Sequence, residues 1–395
     1  MEKLNLIRTI NNFRKILAFS SNIGFFFGAG TSCSFGLPNI VGLTNDVKNM
    51  LSFDEQQDFE TAAKSAELLT GISPTTIEGI LNYLRQIRSI TGDRPDRTHE
   101  GISGKTAQQL DVKICTSIFE AIKTKEQTAD ISELRRFFSW LNTLNKSSTK
   151  EIYTANYDML FERAMEANYI PYFDGFVGAH EPFFCAESVD SFVLPSDMTA
   201  NWIRLWKIHG SLNWEERRSS DYPDKKIVRV GKISKPKNEL MIYPSREKYE
   251  LSRKQPYIAY FDRLKTYLLR GELLFLISGY SFGDQHINST IFECLRQNAR
   301  LYAVVFCYRD EDIQVLENYG KSHLNLCAYG PSKALVNGII YEWKYDDTED
   351  EAEKPELYWD SAESKCIIGD FKNMIKFIIE NSGQKALIEE QFNGK

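Results

Sequence analysis

Four short stretches concentrate residue types that can bind and transform a small polar ligand: Gly28-Ala29-Gly30-Thr31-Ser32, Thr154-Ala155-Asn156-Tyr157-Asp158, Lys207-Ile208-His209-Gly210-Ser211 and the run from Ser278 to Asn288. Glycine has no Cβ, so Gly28-Ala29-Gly30 lets main-chain N–H groups approach a phosphate closely. Asn156 offers a neutral amide that both donates and accepts hydrogen bonds. An imidazole has an ordinary pKa of about 6.5, so His209 can take up a proton at neutral pH. Asp158 can hold a hydroxyl or favour a charged imidazole. Each stretch also has a purely structural reading. A GxG after a strand serves equally as a tight turn, and the full GxGxxG is missing. A histidine at a strand end can simply be hydrogen-bonded in place. Asp284 ahead of Gln285-His286-Ile287-Asn288 has the pattern of a helix N-cap.

The elements that must position these residues are readable upstream of each. Ile23–Phe27, Glu151–Thr154, Trp202–Ile208 and Leu273–Ile277 are short runs, largely apolar, in which small or polar residues take over at the carboxyl end. Continuous apolar runs suit parallel strands covered on both faces, and ligands of open α/β sheets bind beyond the carboxyl ends of such strands. Helical patterns at 158–167, 256–270 and 311–319 and strands at 301–306 and 339–343 complete the alternation. The expected fold class is α/β, a Rossmann-like doubly wound parallel sheet with right-handed crossovers. After Gly36-Leu37-Pro38 the periodicity turns helical, with stripes through Ile77, Ile80, Leu84 and Ile87, through Leu110, Ile114, Ile118 and Ile122, and through Leu134, Phe137, Phe138 and Leu141. Asp130 and Glu133 have the spacing of a capping box. The expected organisation is a core of residues 1–38 and 151–345, an all-helical insertion at 39–150 with a polar loop at 91–105, and residues 346–395 as an acidic loop plus a helix over 371–379.

Composition narrows the function classes. The chain has 395 residues, 42% hydrophobic and 26% charged, which are globular values. No apolar run approaches the ~18 residues of a membrane span, and the amphipathic N-terminus lacks the continuous apolar centre of a signal peptide. A net charge of −6 argues against a chain built to hold nucleic acid. The segment 217–237 carries eight basic residues against Asp221 and Asp224, and alternates at Lys226-Ile227-Val228-Arg229-Val230 as in a hairpin with one charged face. That face is either solvated or a contact for phosphate or nucleic acid. Seven cysteines, widely spaced and with no CxxC pair, point to reduced thiols in a cytoplasm and give a four-cysteine zinc site no support, so no metal is expected.

In order and content the four stretches resemble the sirtuin family, whose members carry Gly-Ala-Gly-x-Ser, Thr-x-Asn-x-Asp, His-Gly and a later Gly-x-Ser. The resemblance covers the two ends of the core and skips the helical block. It implies NAD as ligand. Carried over residue by residue, Gly28, Ala29, Gly30, Thr31 and Ser32 contact NAD phosphates and ribose, Asn156 and Asp158 lie by the nicotinamide and its ribose, and His209 is the catalytic base. Gly279 and Ser281 bind the second nucleotide half, while Asp284, His286 and Asn288 either join them or cap a helix.

Departures from the family redirect its function. Deacylases follow the glycine turn with Gly-Ile-Pro-Asp-Phe-Arg, where this chain has Gly36-Leu37-Pro38-Asn39-Ile40-Val41, and carry Gln where Ala155 stands. They also carry a zinc ribbon with two CxxC pairs after the histidine, whereas no cysteine occurs here between Cys185 and Cys294. The basic hairpin occupies that place in the chain. The form TxNYD with GYSFxDxHIN is similar to a bacterial branch whose members hydrolyse NAD in antiviral defence by abortive infection. The resemblance therefore implies an NAD glycohydrolase with NAD as substrate and no zinc. Its control would come from homo-oligomerisation or a HerA-type ATPase partner, contacted through the helical block and the C-terminal helix. An NAD- or ADP-ribose-sensing module and an NAD-dependent protein deacylase are the alternatives.

Overall fold

The computed structural model describes residues 2–144, 150–190, 202–218, 225–231, 255–346 and 354–381. The acidic run at 347–353 and much of the basic segment, at 219–224 and 232–237, lie outside the described residues.

Ten strands form one sheet: β1 (Lys3–Asn5), β2 (Ile23–Phe27), β3 (Lys150–Thr154), β4 (Tyr172–Phe173), β5 (Ile203–Lys207), β6 (Leu273–Ser278), β7 (Leu301–Phe306), β8 (Leu326–Tyr329), β9 (Lys333–Val336) and β10 (Ile339–Lys344). Their spatial order is β1-β10-β9-β8-β7-β6-β2-β3-β5-β4. From β8 to β4 every neighbouring pair is parallel. β8, β9 and β10 pair antiparallel, and β1 closes the far edge parallel to β10.

Helices in chain order are α1 (Leu6–Phe19), α2 (Ala29–Cys33), α3 (Ile40–Asn49), α4 (Phe53–Thr70), α5 (Ile77–Thr91), α6 (Gly104–Thr128), α7 (Ser132–Thr143), α8 (Leu160–Ala167), α9 (Ala186–Asp190), α10 (Tyr257–Leu268), α11 (Gln285–Gln297), α12 (Asp310–Gly320) and α13 (Phe371–Asn381). Successive strand residues face opposite ways, and both faces are covered. Phe25, Phe27, Ile152, Leu205, Leu274 and Leu276 enter one core with residues of α1, α4 to α8 and α13. Phe26, Tyr153, Trp206, Phe275 and Ile277 enter the other with residues of α10, α11 and α12. The mixed α/β fold with a large parallel sheet is the one expected from the strand pattern.

Local signals explain individual ends. Ser52 and Glu55 close a capping box on α4, and Gly71 terminates it in the left-handed conformation that glycine tolerates. At α7 the expected box is replaced: the helix begins at Ser132, too late for Glu133 to reach back, and Asp130 Oδ1 instead accepts from Ser132 N at 3.0 Å and from its hydroxyl at 2.6 Å. Within the helical block the polar loop holds a small hairpin, Thr98–His99 against Ile102–Ser103. The basic hairpin forms as Trp214–Arg218 against Lys225–Arg229. Its described charges meet acids: Arg217 and Lys226 both reach Glu181, and Arg229 bonds Asp174 at 2.6 Å.

One charged cluster is built into the sheet. Glu151 is fully buried on β3, directly opposite Arg204 of β5 in the strand register. It accepts from Tyr153 Oη at 2.8 Å, Trp206 Nε1 at 2.9 Å and Arg263 Nε at 3.0 Å, so α10 is tied to two strands through one carboxylate. Breaking a buried pair from one side leaves an uncompensated charge. Arg263→Met should therefore cost about 3 kcal/mol or more of stability, read as a lowered urea midpoint. An unchanged midpoint would remove the cluster from the account of how α10 is held.

Candidate functional site

The four strands that precede the chemically rich stretches, β6, β2, β3 and β5, are contiguous in the sheet. Their register aligns Ser278 with Phe27, Phe27 with Thr154 and Thr154 with Lys207, so all four turns leave the sheet at one level. Sequence separations of more than a hundred residues thus collapse onto one edge.

The first two turns touch backbone to backbone. Gly28 N donates to Ser278 O at 3.0 Å and Gly30 N to Gly279 O at 2.9 Å. A Cβ on Gly28 would lie 2.5 Å from Gly279 O, and one on Gly279, whose φ is +65°, would lie 2.3 Å from Thr31 N. These glycines are required by the packing of one turn on the other, whatever ligand they meet. Ala29, Gly30, Ser281 and His286 are exposed around this contact.

Beneath it runs a buried polar chain. Thr31 Oγ1 donates to Gly28 O at 2.8 Å, and Ser32 Oγ donates to Asp158 Oδ2 at 2.6 Å. With both hydroxyl protons committed, these oxygens can only accept from Asn156. Asn156 Nδ2 lies 3.0 Å from Thr31 Oγ1, 2.8 Å from Ser32 Oγ and 3.1 Å from the Gly28 carbonyl, itself an acceptor. The amide orientation follows from the network: Nδ2 faces the turn and Oδ1 faces away. Oδ1 is buried and has no hydrogen-bond partner, and neither has Ser278 Oγ at the end of β6. Thr154 Oγ1 accepts from Asn156 N at 3.0 Å and fixes the start of this loop.

His209 and Asp284 form a second unit. His209 Nε2 is 3.2 Å from Asp284 Oδ2, both side chains being about nine-tenths buried. Asp284 Oδ1 accepts from His286 N at 2.9 Å and Ile287 N at 3.3 Å, capping α11. Asn288 is engaged at both ends within the same loop, donating to Phe282 O at 2.7 Å and accepting from Tyr280 Oη at 2.8 Å. It holds Phe282 at a φ of +57°, a conformation that a bulky residue adopts only when its surroundings impose it.

Two further residues, Lys207 and Glu126, shape the site, and sequence reasoning missed them. Lys207, buried at the end of β5, donates to Tyr157 O at 3.1 Å, Ser211 Oγ at 2.8 Å and Glu162 Oε1 at 2.9 Å, latching the loop after β3 to the loop after β5. Glu126, from the last turn of α6, accepts from Met159 N at 3.1 Å. A lysine closing a buried apolar strand was the available signal for Lys207; nothing in a helical stripe marks Glu126. No group of three or more His, Cys, Asp or Glu side chains among the described residues is placed to hold a metal ion, and no helix there is long and apolar enough to cross a membrane.

Comparison with known proteins meets this geometry from another side. Residues 150–324 match the family model described as SIR2-like domain, a span that contains the turns after β3, β5 and β6. Solved structures similar to the chain include a Sir2 homologue–NAD complex, at 14% identity over 77% of this chain and 84% of that one with a TM-score of 0.34. A Sir2 homologue mutant–ADP ribose complex is similar at 15% identity over 74% and 83%, with a TM-score of 0.35. No match was found among curated proteins. The fold itself is mixed α/β with a large parallel sheet. Over residues 150–324 it carries a match to the SIR2-like domain.

The acids under the site make stability depend on pH. Burial, with Asp158 and Glu162 adding repulsion, pushes Glu126 up to about 7 from an ordinary 4.5, against the Met159 N–H and the Lys207 charge. Between those values the folded chain holds a proton that the unfolded chain has released, so stability falls as pH rises through the window and is level above it. Glu126→Gln keeps an acceptor for Met159 N and removes the titration. The variant should gain on the parent between pH 5 and pH 8 by on the order of 1–3 kcal/mol, read from urea midpoints at the two pH values. A constant difference would place the titration elsewhere.

Proposed function

We propose that the protein is an NAD glycohydrolase, cleaving the nicotinamide–ribose bond with water to give nicotinamide, ADP-ribose and a proton. The observation that carries this reading is the buried chain Asp158–Ser32–Asn156, which turns an unpartnered amide oxygen away from the glycine turn, with His209 on the next strand end. The match to the SIR2-like domain supports NAD as the ligand class. Nicotinamide leaves as a neutral amide from a cationic pyridinium, taking the electron pair of the broken bond, so its departure needs no acid. The chain must instead orient the ribose, place a water at C1′ and accept the water's proton. In this reading Asn156 Oδ1 accepts from the water or a ribose hydroxyl and His209 is the base. Asp158 keeps Ser32 polarised so that Asn156 stays in that orientation. Gly28, Ala29, Gly30, Thr31, Gly279 and Ser281 border the phosphates and second nucleotide, with His286 exposed beside them.

Asn156→Ala and His209→Ala should each lower nicotinamide release by on the order of a hundredfold or more, with unchanged far-ultraviolet circular dichroism. Turnover near that of the parent in the His209 variant would remove it as the base. Tight NAD binding by the parent chain with no products under any condition would favour a nucleotide-sensing module, and acyl-lysine turnover without free ADP-ribose a deacylase.

The same reading extends to NAD depletion in bacterial antiviral defence, with activity controlled by self-assembly or by a HerA-type ATPase. Turnover per chain should then rise with protein concentration or on adding that partner, alongside an increase in mass in solution. A monomer whose turnover ignores both would end this extension and leave the chemistry standing.

A further inference from the structure

We propose that Asp284 is the positioning residue of His209: one carboxylate oxygen holds the helix start of α11, and the other fixes the imidazole's orientation and tautomer at the end of β5. The inference rests on the glycohydrolase reading for its kinetic consequence, and on geometry alone for its structural one.

The two oxygens do separate work. Oδ1 accepts from the first amides of α11, His286 N and Ile287 N, so the carboxylate cannot rotate without releasing the helix cap. Oδ2 is thereby held 3.2 Å from His209 Nε2. Tyr280 Oη, which donates to Asn288 Oδ1, also lies 3.1 Å from the Asp284 carbonyl, so the cap residue sits against the same hydroxyl that holds the loop. The fixed acceptor selects the neutral tautomer that carries its proton on Nε2, leaving Nδ1 as the basic nitrogen, because only an N–H can face a carboxylate favourably. A histidine that serves as a base must present one nitrogen reproducibly, and a buried, hydrogen-bonded carboxylate is a recurrent way to achieve this. The helix cap therefore doubles as the anchor of the imidazole, and the strand end after β5 and the helix after β6 are joined by one side chain.

Capping and positioning can be separated by substitution. Asn and Ser are both good N-caps, so Asp284→Asn and Asp284→Ser preserve the start of α11. Asn lacks the charge, and Ser lacks the second oxygen that reaches His209. Nitrogen-15 spectra of imidazole-labelled protein report the tautomer, and five histidines in the chain keep the spectrum tractable. His209→Gln assigns the signal.

In the parent chain at pH 8, His209 is expected as the Nε2–H tautomer. In Asp284→Ser that signature should be lost or averaged, with kcat reduced at least about tenfold, KM changed much less and the melting midpoint nearly unchanged. In Asp284→Asn the single amide oxygen caps α11 and the NH2 group faces Nε2, so the ring should shift towards the Nδ1–H tautomer and kcat should fall at least as far as in Asp284→Ser. Unaltered His209 nitrogen shifts in both variants would overturn the proposal, and so would altered shifts with the parent's kcat. If the parent turns over no NAD, the spectra alone decide. A lost signature then upholds the positioning role, and the absent reaction counts against the glycohydrolase reading.

Discussion

The close approach of two backbones, at Gly28 to Thr31 and at Gly279, sets the geometry on which the remainder of the site depends. β2 and β6 are neighbours in the sheet, and their turns continue the contact beyond the last ladder bond through Gly30 N and the Gly279 carbonyl. No side chain fits between them: a Cβ on Gly30 would lie 2.7 Å from Gly279 Cα. The contact leaves α2 starting directly at the strand end, and that start carries Thr31 and Ser32 inward. From there Ser32 meets Asp158, and both hydroxyls meet Asn156. Moving either turn by an ångström would dissolve the directional argument that fixes the Asn156 amide.

A second layer of constraint comes from charges kept out of water. Lys207 Nζ lies within hydrogen-bond distance of the Tyr157 and Asp158 carbonyls, the Ser211 hydroxyl and the Glu162 carboxylate, so the loops after β3 and β5 share one ammonium. Glu126 brings the end of α6 to the same place through Met159 N, and Arg163 of α8 donates back to the Glu126 carbonyl. The helical block is therefore bonded to the loop that carries Asn156 and Asp158, in addition to packing on the sheet. Rearrangement of α6 has a direct physical route to that loop.

What was legible beforehand divides along the range of the interactions. The strands at Ile23–Phe27, Ile203–Lys207 and Leu273–Ser278 and the helices of the block follow from runs and stripes a few residues long, which one stretch of sequence contains. The edge elements were harder to read. β1 and β4 have three and two residues, and β8 and β9 form an antiparallel pair over only two register positions, so local pattern carries little signal. At the site, the type of each residue was readable but its partner was not. Asp284 has the sequence pattern of a cap and caps α11, yet its bond to His209 depends on β5 and β6 lying three places apart in the sheet. Glu126 and Lys207 became significant only once α6, β5 and the Tyr157–Met159 turn were together in space.

Unmet hydrogen bonds recur at the strand ends where the four turns converge. Among the described residues, seven buried side-chain polar atoms lack a partner, and three of them are Asn156 Oδ1, Ser278 Oγ and Glu162 Oε2. Asn156 and Ser278 sit at the carboxyl ends of β3 and β6, on either side of the turn after β2, and Glu162 lies under the same loop. An unmatched buried acceptor costs roughly 1–3 kcal/mol, and the other four of the seven lie away from these strand ends, so it is the convergence of three on one place that bears on the proposed site. The Glu151 carboxylate a few residues away shows that the chain can satisfy a buried acid, with Tyr153, Trp206 and Arg263 all donating to it. The contrast along a single strand is informative. Glu151, second in β3, takes three donors, whereas Asn156, just past the strand's end, has an amide oxygen with no partner. A ligand hydroxyl or a water seated at that end would recover the missing bond, and the folding energy forgone there would reappear as binding energy at the strand ends.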